Sequence, residues 1–255
     1  MKVSLIQTDI TWASPQENIS RIEAMMTVCE PSELYVLPEM WATGFATQPQ
    51  GIAESEKKSV ALAWMKHKAQ QLGCAICGSL AVRAEDGTYR NRHYFVTPSQ
   101  GETVYYDKRH LFAHGHENDF YTCGSQPVIV QWQGWRLLLQ TCYDLRFPVF
   151  SRYGRAGEYD AIIYVANWPE RRQLAWNTLV RARAIENQCY VLAVNRIGDD
   201  AHCHYVGGSA VIDPMGRTVS ECAHAECASS VELSLVKLHD MRSRFRVLAD
   251  RDDFA

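Results

Sequence analysis

The sequence predicts an α/β fold built in layers, and three observations carry that expectation. Short apolar runs with strand character alternate with segments of helical periodicity at the start of the chain and again across residues 128–195. Between them, residues 74–106 read as successive strands with no helix, so the sheet should be mixed rather than purely parallel. No repeat, low-complexity tract or Pro/Gly/Ser-rich linker interrupts the 255 residues, and one domain over 1–255 is expected.

The elements follow in order. Residues 3–7 alternate as a strand, and Pro15 after Ser14 opens a helix over 15–29, where a proline's missing N–H is no loss in the first turn. Residues 34–37 (L-Y-V-L) form a strand, and 54–72 carry apolar residues at three- and four-residue spacing, as a helix does. Strands at 74–82, 93–97 and 103–106 are separated by the turn signals Glu85-Asp86-Gly87 and Ser99-Gln100-Gly101. Two strands at 128–132 and 136–140 then lead into a helix at 146–156, a strand at 161–165, a helix at 171–187 and a strand at 190–195. Strands at 209–212 and 229–233 flank the turn Asp213-Pro214-Met215-Gly216. Helices covering the outer faces of two such sheets give α-β-β-α layers.

Composition narrows the partners. With 26 basic and 29 acidic residues mixed along the chain and a net charge of -3, there is no positive footprint for nucleic acid. No apolar run approaches the ~20 residues that cross a bilayer, so no membrane partner is expected, and the N-terminus alternates like a strand where a signal peptide has a longer apolar run. Nine cysteines without framework spacing point to free thiols in a reducing compartment, the cytosol. A small-molecule partner is the expectation.

Three reactive side chains occupy equivalent places. Glu39 follows L-Y-V-L-P, Lys108 follows V-Y-Y-D, and Cys142 follows R-L-L-L-Q-T, each just past a strand's end, where loops bring distant residues together over a parallel sheet. A thiol with a reference pKa of ~8.5 is mostly protonated near neutrality and needs a base, which Glu39 can supply. An amide carbonyl attacked by sulfur becomes an oxyanion, which the Lys108 ammonium and the Tyr143 N–H could hold. Each residue alone has a plainer account: a buried small cysteine, a helix-capping glutamate, a solvated lysine. Their shared placement is what favours catalysis.

The motifs L-P-E-M…T-G-F, Y-D-K-R-H-L-F, C-Y-D-L-R-F-P and A-N-W-P…A-R-A-I-E-N-Q resemble the nitrilase-type carbon–nitrogen hydrolases across essentially the whole chain, with most similarity to bacterial omega-amidases. The resemblance implies a four-layer α-β-β-α sandwich paired into a homodimer. It makes Glu39 the general base, Lys108 the oxyanion stabiliser and Cys142 a nucleophile that forms a thioester. It also implies a second glutamate after the lysine, which falls on Glu117 in H-G-H-E-N-D, with Asp119 close enough to compete. The implied substrate is the terminal amide of α-ketoglutaramate or α-ketosuccinamate. The alternatives are another amide, a nitrile or an N-carbamoyl compound, or a non-catalytic binding protein on the same scaffold.

A keto-acid amide brings a carboxylate, which a guanidinium grips with two parallel hydrogen bonds. Arg146 and Arg172 are the candidates, with Arg172 preferred, because Arg146 could equally serve a buried salt bridge. Phe45, Tyr143, Trp168 and Trp41 could wall a small pocket. Cys74 and Cys77 have redox spacing but fall in a strand-like run, so packing is the better account. His202-Cys203-His204 lacks a second pair to complete a zinc site and reads as an exposed loop. Gly207-Gly208 marks a turn or a close approach. No metal or cofactor is implied.

Overall fold

The computed structural model describes residues 1–99 and 103–252. Fifteen strands are described: β1 (Lys2–Gln7), β2 (Leu34–Val36), β3 (Glu54–Ser55), β4 (Ala75–Arg83), β5 (Tyr89–Val96), β6 (Val104–Asp107), β7 (Val128–Trp132), β8 (Trp135–Thr141), β9 (Ala161–Ala166), β10 (Tyr190–Asn195), β11 (Ile197–Asp199), β12 (His204–Val206), β13 (Ala210–Ile212), β14 (Thr218–Glu221) and β15 (Cys227–Glu232). The helices are α1 (Pro15–Val28), α2 (Val60–Leu72), α3 (Pro148–Ser151), α4 (Gln173–Glu186) and α5 (Leu235–Arg244).

Two large sheets stack. The first runs β15-β1-β2-β4-β5-β6, with β3 beside β4, and the second runs β14-β13-β10-β9-β8-β7. Each has three parallel strands at its centre, β1-β2-β4 and β8-β9-β10, flanked by antiparallel neighbours. Alternation along each strand then sorts the side chains. Leu5, Val36, Cys77 and Phe95 of the first sheet meet Leu137, Leu139, Ile163, Val165 and Leu192 of the second in the central core. On the outer faces, Tyr35, Ile76 and Leu80 pack on α1 and α2 through Ile22, Leu62 and Met65, and Ile162, Tyr164 and Val191 pack on α4 through Trp176, Val180 and Ala184. These are the expected α-β-β-α layers.

Several boundaries differ for local reasons. The helix expected over 54–72 begins only at Val60, where the Ser59 hydroxyl accepts from Leu62 N at 2.9 Å as an N-cap; before it lie β3 and a 3-10 turn. It ends at Gly73, whose φ of 66° suits the left-handed cap. The helix expected over 146–156 shrinks to Pro148–Ser151: Phe147, preceding proline, is held out of helical geometry at φ -117° and ψ 81°, and Arg152 ends the helix in an extended conformation at φ -63° and ψ 128°. β5 starts four residues before the expected 93, its polar Y-R-N-R opening hiding the strand. The short strands β3, β11, β12 and β14 and helix α5 were not expected, and Gln100-Gly101 of the expected Ser99-Gln100-Gly101 turn lie outside the described residues.

Candidate active site

Lys108 and Cys142 follow directly on β6 and β8, and Glu39 lies three residues past β2. Cys142 has φ 45°, a left-handed conformation that costs a non-glycine residue about 1–3 kcal/mol and is held only where the surroundings over-determine it. Here it breaks β8 into a tight 3-10 turn, Cys142–Arg146.

Behind the thiol sits a buried polar cluster. Lys108 Nζ donates to Glu39 Oε1 and to Glu117 Oε2, both at 2.9 Å, and all three side chains are fully buried. Asn91 Nδ2 bridges the same two carboxylates, at 2.7 Å to Glu39 Oε1 and 2.9 Å to Glu117 Oε1. The amide of Phe112 donates to Glu117 Oε2 at 2.6 Å. Asn167 N donates to Glu39 Oε2 at 2.9 Å, and its side-chain Nδ2 to the Glu39 carbonyl at 2.8 Å. Asn91 is oriented in turn by the Ser79 hydroxyl on its Oδ1, at 2.8 Å. Glu117 is thus the acidic residue against Lys108. Asp119 lies at the cavity wall and pairs with His116.

The charges explain the protonation states. Burial pushes the Cys142 thiol well above its ordinary value; Glu39's charge adds to the rise and Lys108 opposes it. The thiol is therefore protonated at rest and needs a base beside it. Burial works against the Lys108 ammonium, but Glu117 and Glu39 outweigh it and hold the lysine charged. Burial raises the Glu117 carboxyl, Lys108 opposes that, and Glu39 adds to it.

Cys142 opens onto a cavity of about 600 Å³. Phe45, Tyr143, Arg146, Trp168 and Arg172 all line it, so each residue named from sequence as a substrate contact stands on one wall or another. Trp41 does not; it is fully buried beside Trp64 of α2, at 5.2 Å between ring centroids. The Arg146 guanidinium lies 4.9 Å over the Trp168 ring and that of Arg172 5.0 Å over Phe112. Among the described residues neither forms a salt bridge, so the buried pair considered for Arg146 is absent. Burial, then the neighbouring Arg171, lowers the Arg172 pKa, the signature of a cation short of a counter-charge.

The remaining signals resolve by position. Cys74 packs in the outer cluster and Cys77 in the central core, so the two thiols face opposite sides of the first sheet. Burial pushes both up, Cys74 to about 11. His202 and Cys203 lie between β11 and β12 in a loop that also forms cavity wall, a role their exposed-loop reading missed. A Cβ on Gly207 would come within 2.3 Å of the Gln7 side chain, the close approach its sequence suggested. Asn91 and Asn167 escaped the sequence pattern. Asparagine 167 at the end of the apolar run A-I-I-Y-V-A was the one available hint.

A model of the carbon-nitrogen hydrolase family matches residues 2–242. The omega-amidase YafV of Escherichia coli K12 is 41% identical over 256 residues, covering 100% of this chain and 98% of the relative. A 2-oxoglutaramate amidase of Bacillus subtilis is 31% identical over 97% of this chain and 96% of its own. Among solved structures, the CN-hydrolase superfamily protein XC1258 of Xanthomonas campestris, which carries an arsenic adduct in its active site, superposes with a TM-score of 0.94 at 41% identity, covering 100% of this chain and 98% of its own. With its four layers, its order of motifs and a family match over nearly its whole length, the chain belongs to the carbon-nitrogen hydrolases.

Proposed function

We propose that the protein is an omega-amidase that hydrolyses the terminal carboxamide of a short 2-oxo dicarboxylic acid monoamide, α-ketoglutaramate or α-ketosuccinamate, to the keto acid and ammonia. The observation that carries this is one cavity joining the Cys142 thiol, backed by Glu39, Lys108 and Glu117, to two guanidinia without carboxylate partners among the described residues, Arg146 and Arg172. A substrate with an amide at one end and a carboxylate at the other fits that division. The omega-amidase and 2-oxoglutaramate amidase names of full-length relatives support it.

Glu39 removes the thiol proton as sulfur attacks the amide carbon, so no free thiolate need persist in the buried site. The Lys108 ammonium and the Tyr143 N–H receive the developing oxyanion. Glu39 returns the proton to the departing nitrogen, and ammonia leaves a thioester on Cys142. A water activated by the same carboxylate then releases the keto acid and restores the thiol. Glu117 fixes the Lys108 ammonium and balances its charge. Tyr143, Phe45 and Trp168 wall the reacting centre against bulk water. Arg172, seconded by Arg146, takes the carboxylate.

The cytosolic setting and a homodimeric state belong to the same proposal, the first supported by nine free cysteines. The test is ammonia release from α-ketoglutaramate with L-glutamine and a neutral aliphatic amide as competitors, and an acyl adduct on Cys142 by intact mass. Equal ammonia release by wild type and Cys142→Ala would overturn it.

A further inference from the structure

Asp144 lies two residues past Cys142 and is completely buried. Its carboxylate accepts four hydrogen bonds. Oδ2 takes Thr141 N at 3.0 Å and the Tyr106 hydroxyl at 2.8 Å; Oδ1 takes His110 N at 2.9 Å and His110 Nδ1 at 2.8 Å. Thr141 immediately precedes Cys142, whereas Tyr106 and His110 bracket Lys108. The Tyr106 oxygen accepts from Arg109 N at 2.9 Å as well, so the backbone on the far side of Lys108 is tied to the same carboxylate through the phenol. The His110 ring stacks on Phe147, just past the Cys142 turn, at 3.8 Å and 7°.

Among the described residues, every hydrogen bond between residues 104–112 and residues 141–147 ends on Asp144. The ammonium of Lys108 is anchored elsewhere, on Glu39 and Glu117. Among the described residues, nothing else of hydrogen-bond strength registers the lysine's strand end against the turn that carries the thiol.

We propose that Asp144 is a positioning residue, which sets the Lys108 ammonium against the Cys142 thiol and so assembles the oxyanion site. This deepens the amidase reading and rests on it. Asp144 touches neither substrate nor reacting atoms; it acts through the two segments it joins. Each oxygen faces one backbone N–H, that of Thr141 or that of His110, so in Asp144→Asn either orientation of the amide turns an NH2 group onto one of them and leaves it unpaired. The lysine and thiol should drift apart by a fraction of an ångström, enough to matter for chemistry and not for binding.

The experiment measures kcat and KM for α-ketoglutaramate and, separately, the pH midpoint of Cys142 alkylation by iodoacetamide. In Asp144→Asn, kcat should fall at least about 30-fold while KM changes less than about threefold. The groups acting on the thiol's charge are Glu39, Glu117, Lys108 and Arg172; loss of Lys108's registration removes the main cation, and the alkylation midpoint should move up by about half a pH unit or more. A merely structural role would lower the melting temperature and leave both readouts unmoved. Tyr106→Phe deletes one donor and keeps the carboxylate, so it serves if Asp144→Asn does not fold: kcat should fall about fivefold, with a midpoint shift in the same direction. In folded variants, kcat within twofold of wild type and an unmoved midpoint would overturn the proposal. If wild type releases no ammonia from α-ketoglutaramate, the amidase reading fails, and the alkylation midpoint still decides the role of Asp144.

Discussion

Asn167 grips Glu39 at two points, its backbone N–H on the carboxylate and its side-chain amide on the glutamate's own carbonyl, at 2.9 and 2.8 Å. With Lys108 and Asn91 on the other oxygen, the carboxylate has three close donors and no freedom to rotate away from the thiol. In the proposed role of general base, a carboxylate held this way spends no energy on reorientation during the reaction.

That arrangement predicts the result of Glu39→Gln. The amide cannot take the thiol proton, and its NH2 must face at least one of the donors that now converge on two oxygens. Amide hydrolysis should fall at least about 1000-fold, taking the loss of general base and general acid together. KM for the keto-acid amide should change less than about threefold, which separates loss of proton transfer from loss of substrate binding. A fall of less than about tenfold would remove Glu39 from its assigned role.

Lys108→Met tests the buried charge cluster through stability. One ammonium balances two buried carboxylates, and removing one partner of such a cluster costs about 3–5 kcal/mol. For a chain of this size that lowers Tm by roughly 10 °C. The pH dependence has a definite sign. The Glu117 carboxyl is already raised by burial, and without Lys108 it rises further. A carboxyl raised in the folded state gives stability that is present below its unfolded pKa of about 4.3 and lost as pH rises. The Tm gap between wild type and variant should therefore be widest near neutrality and narrow toward acid. Calorimetry at several pH values measures it, and a gap that stays constant with pH would contradict this account.

The sequence made the long elements and the meeting of Glu39, Lys108 and Cys142 legible because both rest on local pattern. Apolar alternation marked the sheet cores, and Glu39, Lys108 and Cys142 each stood where a strand stops. The partners of those residues were not legible in the same way. Asn91 lies inside β5, in a polar stretch that reads as loop, and only the pairing of β5 with β4 and β6 turns it inward. Asp144 looks like an ordinary turn residue until Tyr106 and His110 arrive from the other sheet. The false helix over 146–156 had the right periodicity, but the left-handed Cys142 and the Phe147-Pro148 step spend those residues on turns.

Substrate choice should follow the arginines. Arg172→Met should raise KM for α-ketoglutaramate at least about tenfold, with a smaller change in kcat, because a carboxylate paired with guanidinium is held by charge-assisted bonds. A neutral amide of similar length should be hydrolysed as by wild type. Arg146→Met is expected to have the weaker effect of the two, since it is Arg172 whose burial leaves it short of a counter-charge. If the neutral amide suffers as much as the keto acid amide, the arginine holds the pocket's shape rather than the carboxylate.

His93 sets a pH limit on the fold itself. It projects between the sheets, where Nδ1 meets the Gln140 carbonyl at 3.2 Å and so carries the proton, while Nε2 is buried without a partner among the described residues. Burial lowers its pKa to about 4, against weak opposition from Gln140 and Asp144. The folded protein therefore keeps it neutral, whereas the unfolded chain takes up a proton near pH 6.5. Stability is full above that value and is lost as pH falls toward 4, by about 3 kcal/mol for this one group. His93→Asn keeps a donor for the Gln140 carbonyl and cannot ionise. Urea unfolding at pH 7 and pH 4.5 should show the variant less stable at pH 7 for lost packing, yet with a flatter fall toward acid. An equally steep fall in both proteins would assign the acid sensitivity to another buried group.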